Sequence, residues 1–451
     1  MNASRLRAIP SVDKVVLSLG HTDLPRALVL DVVRRELKTL RTEKSIPRID
    51  AIVERIRQRV RQVSASRIQP LINGTGVIVH TNFGRAPLGP DVVRALSSIG
   101  TSYNNLEYDL ATGGRGDRAA YLERGLASIC GAEAATIVNN NAAALMLIVR
   151  HFCRPDASDV VISRGELVQI GGGFRIPDVL ESSGARLREV GTTNQTSTAD
   201  YARAITKETA LVLRVHRSNF FIEGFVHSPT TEDIAALAHR KRVPFVEDLG
   251  SGAIVQTQSV EGLEHEPTPS EVIRRGVDLV CFSGDKLFAG PQAGVIAGAM
   301  KFVTAIKREP LFRAVRCDKL ILAALETMVD AYLRDQPSAP VLDMLHLSID
   351  ELRVRAERIV NALDGLPIQA RVGTGRSQIG GGTLPRSSMA SVTIELAHHL
   401  IKSQDLAARL RQQPLPVIGY MARGILKLDL RTIFPRQDDD LIQALRIAAS
   451  V

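Results

Sequence analysis

No stretch of this 451-residue chain approaches the roughly 18 consecutive apolar residues of a membrane span; its richest run, Ala142 to Val149, is far too short. No apolar core follows the basic residues near Met1, so no secretory signal is expected. Cysteine is scarce. Cys130, Cys153, Cys281 and Cys317 are scattered, with no Cys-x-x-Cys pair and no histidine cluster nearby. That pattern argues against a metal site and for buried thiols in a reducing cytoplasm, so a cytoplasmic location is expected. Internal repeats and low-complexity tracts are also missing. What remains, 45% apolar and 23% charged, is the balance of a soluble globular protein, and the length suggests two or three domains.

Charge is unevenly placed. The chain carries a net +9. From Met1 to Ile68 there are fifteen basic residues against seven acidic ones, a net of +8, so the remainder is nearly neutral. Such asymmetry fits a polyanion-binding module joined to a neutral body, and equally a solvated basic helix face. The segment reads as helices. Leu28, Val32, Leu37 and Leu40 recur at helical spacing, as do Ile49, Ile52, Val53, Ile56 and Val60. Arg55, Arg57, Arg59 and Arg61 alternate, which spreads them around the sides of the second helix.

A turn-rich stretch begins at Asn73-Gly74-Thr75-Gly76, and from there to about residue 320 the pattern is strand, Gly-rich turn, helix. The strands expected are Ala135–Val138, Val160–Ser163, Ala210–Val215, Val243–Val246 and Leu279–Phe282, with helices such as Ala142–His151 and Asp233–Arg240 between them. Alternation of this kind implies an α/β fold with a mostly parallel sheet covered on both faces. A helix at Ile349–Leu363, a Gly-rich loop and strands at Met389–Glu395 and Gly424–Asp429 suggest a smaller α+β domain. The expected division is 1–68, 69–325 and 326–451.

Three motifs fall where strands of such a sheet end, which is where ligands bind. In Val280-Cys-Phe-Ser-Gly-Asp-Lys-Leu-Phe-Ala-Gly-Pro-Gln-Ala-Gly294, an apolar strand ends at Ser283 and Lys286 lies in the turn beyond. Glycines 284, 290 and 294 are expected to let the backbone approach a ligand. A lysine so placed can form a Schiff base with an aldehyde cofactor if its surroundings deprotonate it; a Ser-x-x-Lys loop alone more often marks a solvated lysine. Upstream, Val243-Pro-Phe-Val-Glu-Asp248-Leu-Gly-Ser-Gly252 is a buried strand ending in a carboxylate. It could cap a helix, or it could keep a pyridine nitrogen protonated. In Thr136-Ile-Val-Asn-Asn-Asn-Ala-Ala-Ala-Leu145, Asn139, Asn140 and Asn141 open a helix, an arrangement suited to a phosphate. Phosphate cup, acid and lysine occur in the order and spacing of fold-type I pyridoxal-phosphate enzymes.

From about Ile9 to Thr432 the chain resembles bacterial selenocysteine synthase, the L-seryl-tRNA(Sec) selenium transferase family. The residues that carry the likeness include Ile72-Asn-Gly-Thr-Gly-Val, His80-Thr-Asn-Phe-Gly-Arg85-Ala, Leu106-Glu-Tyr-Asp-Leu with Arg115 and Arg118, and Val138-Asn-Asn-Asn-Ala-Ala-Ala. Further on come Ser163-Arg-Gly-Glu-Leu-Val, Gly172-Gly-Phe-Arg-Ile-Pro-Asp-Val, Glu189-Val-Gly-Thr-Thr-Asn194, Val215-His-Arg-Ser-Asn219, Asp248-Leu-Gly-Ser-Gly, Ser283-Gly-Asp-Lys286 and Gly290-Pro-Gln-Ala-Gly.

The resemblance implies a small helical N-terminal domain that binds selenocysteine tRNA, a large pyridoxal 5'-phosphate domain and a small C-terminal α+β domain. It implies conversion of L-seryl-tRNA(Sec) to L-selenocysteinyl-tRNA(Sec), with selenophosphate as selenium donor, through an aminoacrylyl intermediate. Lys286 would be anchor and base. Asp248, Ser283, Asn139, Asn140 and Asn141 would hold the cofactor, and Asp285 would help position the nucleophile or a water. Selenophosphate, a compact polyanion, would meet Arg85, Arg313 and Arg316, arginines that the residues alone describe equally as exposed ion-pair partners. The family forms rings of dimers (a decamer), so a homo-oligomer with shared sites is expected, with no membrane partner. One departure stands out. The family's Pro-Val-Ile-Gly-Arg and Trp-Leu-Asp-Leu-Arg read here Pro416-Val-Ile-Gly-Tyr420 and Lys427-Leu-Asp-Leu-Arg431. A seryl ester has no free carboxylate, so loss of that arginine is compatible with the reaction. Two other readings share some of these features: a related pyridoxal lyase acting on a free amino acid or an amino-sugar phosphate, and a tRNA-binding protein without catalysis.

Overall fold

A computed structural model describes residues 8–43, 45–170 and 173–450. Met1–Arg7 of the expected N-terminal domain and Gly172 of one matched motif lie outside the described residues. The chain divides into two compact units, Met1–Leu71 and Ile72–Val451.

Among its described residues unit one contains three helices, α1 (Val12–Leu19), α2 (Arg26–Thr42) and α3 (Ile49–Ala65). They bury Val15, Val33, Leu40, Ile52 and Ile56 almost completely. The sequence pattern misses α1 and is one position off in α2. Val29, Val32, Val33, Leu37 and Leu40 form the buried stripe, the i, i+3, i+4 spacing of one helix face, while Leu28 is exposed. The arginines of α3 do not all point to solvent as free charges. Arg55 is bonded to Glu36 and Glu43, Arg57 to Glu54, and Arg59 lies 3.4 Å from Glu36. Arg34, Arg41, Arg48 and Arg61 are exposed.

In unit two a seven-stranded sheet comprises β1 (Ala134–Val138), β2 (Asp159–Ser163), β3 (Arg186–Val190), β4 (Thr209–Val215), β5 (Phe245–Gly250), β6 (Leu279–Ser283) and β7 (Gly294–Gly298), in the order β1-β7-β6-β5-β4-β2-β3. Only β7 runs against its neighbours. Alternate residues of each strand feed two different cores. Ile137, Val161, Val212, Phe245 and Val280 join one, and Val160, Leu213, Val246, Leu279 and Cys281 the other. Burial on both faces is why β1, β2, β4 and β6 read as continuous apolar runs.

A second sheet, all antiparallel, contains β8 (Ile368–Ser377), β9 (Met389–His398), β10 (Tyr420–Ala422) and β11 (Ile425–Asp429) in the order β8-β9-β11-β10. It has its own core, including Leu352, Ile359, Ile394, Leu428 and Leu445. Part of the expected Gly-rich loop before Met389 is β8, with Gly380–Gly382 remaining in the turn that follows it. The glycines of β8 make room for neighbours, since a Cβ on Gly373 would fall 2.6 Å from Glu395 and one on Gly375 2.5 Å from Thr393. The border expected at 325/326 falls inside the helix Lys319–Leu333, which packs on the large core through Leu322, Leu325, Met328 and Val329.

Candidate active site

The carboxyl ends of β1, β4, β5 and β6 meet at a cavity of about 350 Å³ lined by Asn140, Asn141, His216, Ser218, Asp248, Gly250, Ser283, Asp285 and Lys286, with Arg85 and Gln292. Lys286 is 4% exposed. Its pKa lies below the ordinary lysine value, chiefly through burial and then through the positive charge of Arg85; Asp248, Asp285 and Glu266 oppose the shift. A buried amine of lowered basicity is available as a nucleophile and as a base.

Asp248, six per cent exposed, accepts from Asn141 Nδ2 at 2.8 Å and from the Gly250 amide at 3.0 Å. Burial pushes its carboxyl above the usual range, against the pull of Asn141, Lys286, Gly250 and Cys281. A cationic ring nitrogen beside it would favour the carboxylate. Gly250, at φ +65°, keeps the cavity open: a Cβ there would fall 3.6 Å from Ser218 Oγ and 3.8 Å from Lys286 Nζ.

The three asparagines divide their work. Asn140 caps the helix α4 (Asn141–Phe152) by accepting from the Ala143 amide at 2.8 Å. Asn141 spends its side-chain amide on Asp248, and its Oδ1 is buried without a partner. Asn139 is exposed, lies off the cavity lining, and donates its backbone amide to Val315 O at 2.8 Å. The first-turn amides of Asn141 and Ala142 have no intrahelical acceptor and belong to residues lining the cavity, which suits a phosphate. Two further conditions for holding pyridoxal phosphate are therefore met in this structure: the opening that a Cβ at Gly250 would fill, and a polar atom of Asn141 awaiting a donor.

Glycines 284, 290 and 294 serve the protein rather than a ligand. A Cβ on Gly294 would fall 2.2 Å from Asn140 O, and one on Gly284 2.7 Å from Pro291 O; on Gly290 its nearest neighbour is Phe288, at 3.1 Å. Because Gly294 pairs with both Val138 and Ser283, its missing side chain lets the asparagine turn and the lysine turn close on each other.

Of the anion-binding arginines expected, the structure brings one to this cavity. Arg85 Nη1 lies 2.9 Å from both Asp285 oxygens. Its backbone sits at φ +62°, an uncommon conformation for a side chain with a Cβ, and is held by bonds to His80 O and from Ala86 N to Asp285 O. Arg313 and Arg316 line a separate cavity of about 540 Å³ with Arg115, Arg118, Lys307 and Arg308. There Glu107 gathers Arg115 at 2.8 Å, Arg118 at 3.0 Å and Arg316 at 3.7 Å. The Asn139–Val315 bond ties this cavity's helix, Pro310–Val315, to the end of β1.

Sequence reasoning overlooks His216 and Glu266. His216 lines the lysine cavity and its Nε2 lies 3.4 Å from Glu266 Oε2. Burial pulls the imidazole pKa down, but Glu266 and the charge of Glu247 outweigh it and the net shift is upward. The signals in the sequence are that His216 lies in the matched Val215–Asn219 stretch and directly follows the end of β4.

A mostly parallel sheet with one reversed strand, and a lysine and an aspartate buried together at its strand ends, belong to the fold-type I pyridoxal-phosphate enzymes, and this chain is one of them. D-Glucosaminate-6-phosphate ammonia-lyase shares the fold, with a TM-score of 0.59 over 84% of this chain and 96% of that one, at 20% identity. Residues 71–434 match the family model described as "SelA: L-seryl-tRNA selenium transferase", and the chain belongs to that family. It is 42% identical to the L-seryl-tRNA(Sec) selenium transferase of Geobacter sulfurreducens over 98% of this chain and 99% of that one. With the protein of the same description from Alkaliphilus metalliredigens it is 39% identical over the full length of both.

Proposed function

We propose that this chain converts L-seryl-tRNA(Sec) to L-selenocysteinyl-tRNA(Sec), with selenophosphate as selenium donor. The observation that carries the reading is the lysine cavity, in a chain that matches selenium transferases from end to end. Pyridoxal phosphate, when bound, supplies an aldehyde that takes up amines and a ring that accepts electrons from carbon. Lys286 Nζ is the anchor for that aldehyde and, once free, the base that takes the serine Cα proton; its lowered basicity supports both tasks. Asp248 holds a proton at the ring nitrogen, and Asn141 fixes the carboxylate that does so. Ser283, Asn140 and the first turn of α4 bind the cofactor's phosphate end, while Asn139, off the cavity lining and with its backbone amide on Val315 O, holds the turn in place.

Arg85, Arg313 and Arg316 bind selenophosphate, and Asp285 positions Arg85. The two cavities are separate in a single chain. That separation supports a homo-oligomer, in the form of a ring of dimers, whose subunits share sites. Residues 1–68 bind the tRNA, the stretch from 69 through the helix Lys319–Leu333 holds the cofactor and the remainder forms the small domain; the exposed arginines of unit one support the first assignment.

The test is to supply seryl-tRNA(Sec) with labelled selenophosphate. Label is expected in the aminoacyl ester, with free serine and amino-sugar phosphates left unchanged. Turnover of a free amine and none of seryl-tRNA would support the lyase reading instead. In the same assay Arg313→Ala is expected to slow selenium incorporation at least tenfold more than loss of the serine hydroxyl; equal slowing of both removes Arg313 from the selenophosphate site.

A further inference from the structure

Resting on seryl-tRNA as substrate, a geometric demand follows. Serine is esterified to the terminal ribose, so if its Cα reaches Lys286 the terminal nucleobase stops a few bonds away, at the cavity mouth. Beyond Ser218, which lines the cavity, residues 219–226 form no helix or strand and carry two phenylalanines toward solvent. Phe221 is 50% exposed and Phe225 87%. Single exposed apolar side chains are ordinary on protein surfaces; Phe221 is set apart by its place three residues from the cavity lining and by its fixed cationic neighbour. The other exposed aromatics among the described residues, Tyr103, Tyr108 and Tyr121, lie on a different segment.

Phe221 is held in place rather than loose. The Arg386 guanidinium lies 5.1 Å from its ring centroid, and that guanidinium is fixed by Glu223 at 2.8 Å and Glu264 at 3.7 Å. The loop is pinned at both ends. Asn219 Nδ2 donates to Gln169 O at 2.7 Å, the Asn194 side chain donates to Phe225 O, and His227 N donates to Asn194 O at 2.9 Å. The segment bearing Arg386 abuts the cavity, because a Cβ on Gly382 would fall 3.2 Å from Asn219 Cβ and 4.0 Å from Ser218 Oγ. Three peptide units place the Phe221 Cα within about 11 Å of that of Ser218. We propose that Phe221, backed by Arg386, is the platform on which the terminal adenine of the acylated tRNA stacks. One ring face is taken by the cation, half the side chain is open, and stacking accepts any base because every base has a π-face.

The test uses full-length holoenzyme and seryl-tRNA(Sec) with 2-aminopurine at its terminal position. Binding to the unaltered protein is expected to quench the fluorescence. Phe221→Tyr should keep the quenching. Phe221→Ala should lose it and raise KM for seryl-tRNA by roughly 5- to 100-fold, with kcat and the visible band of the bound cofactor retained. Equal quenching in Phe221→Ala overturns the proposal. So does an altered assembly state in Phe221→Ala with quenching intact, which would assign Phe221 to contact with a second copy. If the unaltered protein makes product without quenching, the function stands and this inference alone falls; if it binds no acylated tRNA, both fall.

Discussion

At the scale of single residues, burial sets the chemistry before any ligand arrives. Burial lowers the basicity of Lys286 and raises that of Asp248, shifts that keep the amine reactive and leave the acid in want of a cation. Asp248→Asn is therefore expected to bind the cofactor yet lose about two orders of magnitude or more in turnover; activity within a few-fold of the original would dissociate Asp248 from the ring nitrogen. Glu166 offers a test by pH. Burial lifts its carboxyl to about 7, against the pull of Arg214 and the Val215 amide. Its folded value lies above its unfolded one, so the protonated form favours the native state. That contribution is complete below about 4.5 and is lost as pH rises through about 7. Glu166→Gln removes the titration, so the variant should gain stability relative to the original protein across that window, read from urea midpoints on either side of it; parallel midpoints would contradict the shift. Lys286 and Asp248 were legible in the sequence because one lies in the turn just beyond an apolar strand and the other near the end of one. His216 with Glu266 was not, since their pairing joins residues fifty positions apart, and the separate tasks of the three asparagines depend on partners in β5 and near Val315.

Among elements, legibility followed burial. β1, β2, β4 and β6 read correctly within one residue at each end because both faces are covered, whereas β3, at the sheet edge, exposes Arg186, Arg188 and Glu189 and gave no apolar run. β5 begins at Phe245, two residues after its expected start; Pro244, which has no amide hydrogen, lies just outside it. β7 and β8 were hidden by glycines, which sequence reasoning assigns to loops. Here they are strand positions where a neighbour leaves no room for a side chain. Gly294→Ala is accordingly expected to cost about 1–3 kcal/mol and to weaken cofactor retention, because the added Cβ meets the Asn140 backbone that opens α4. Thermal unfolding with and without added cofactor measures both effects, and unchanged values would contradict the close approach.

For the whole molecule, the chain's charge and its chemistry lie in different units. The +8 excess lies within residues 1–68, and the lysine cavity within Ile72–Val451. Removing residues 1–68 should reduce tRNA affinity by roughly tenfold or more and flatten its salt dependence, while the visible cofactor band persists; undiminished affinity would move tRNA recognition elsewhere. The catalytic expectations depend on one bond. Reducing the holoenzyme with borohydride and digesting it tests that bond directly: the pyridoxyl group should be found on the peptide carrying Lys286, and Lys286→Ala should yield none. A label on any other lysine, or a native protein with no visible band to reduce, would contradict the account.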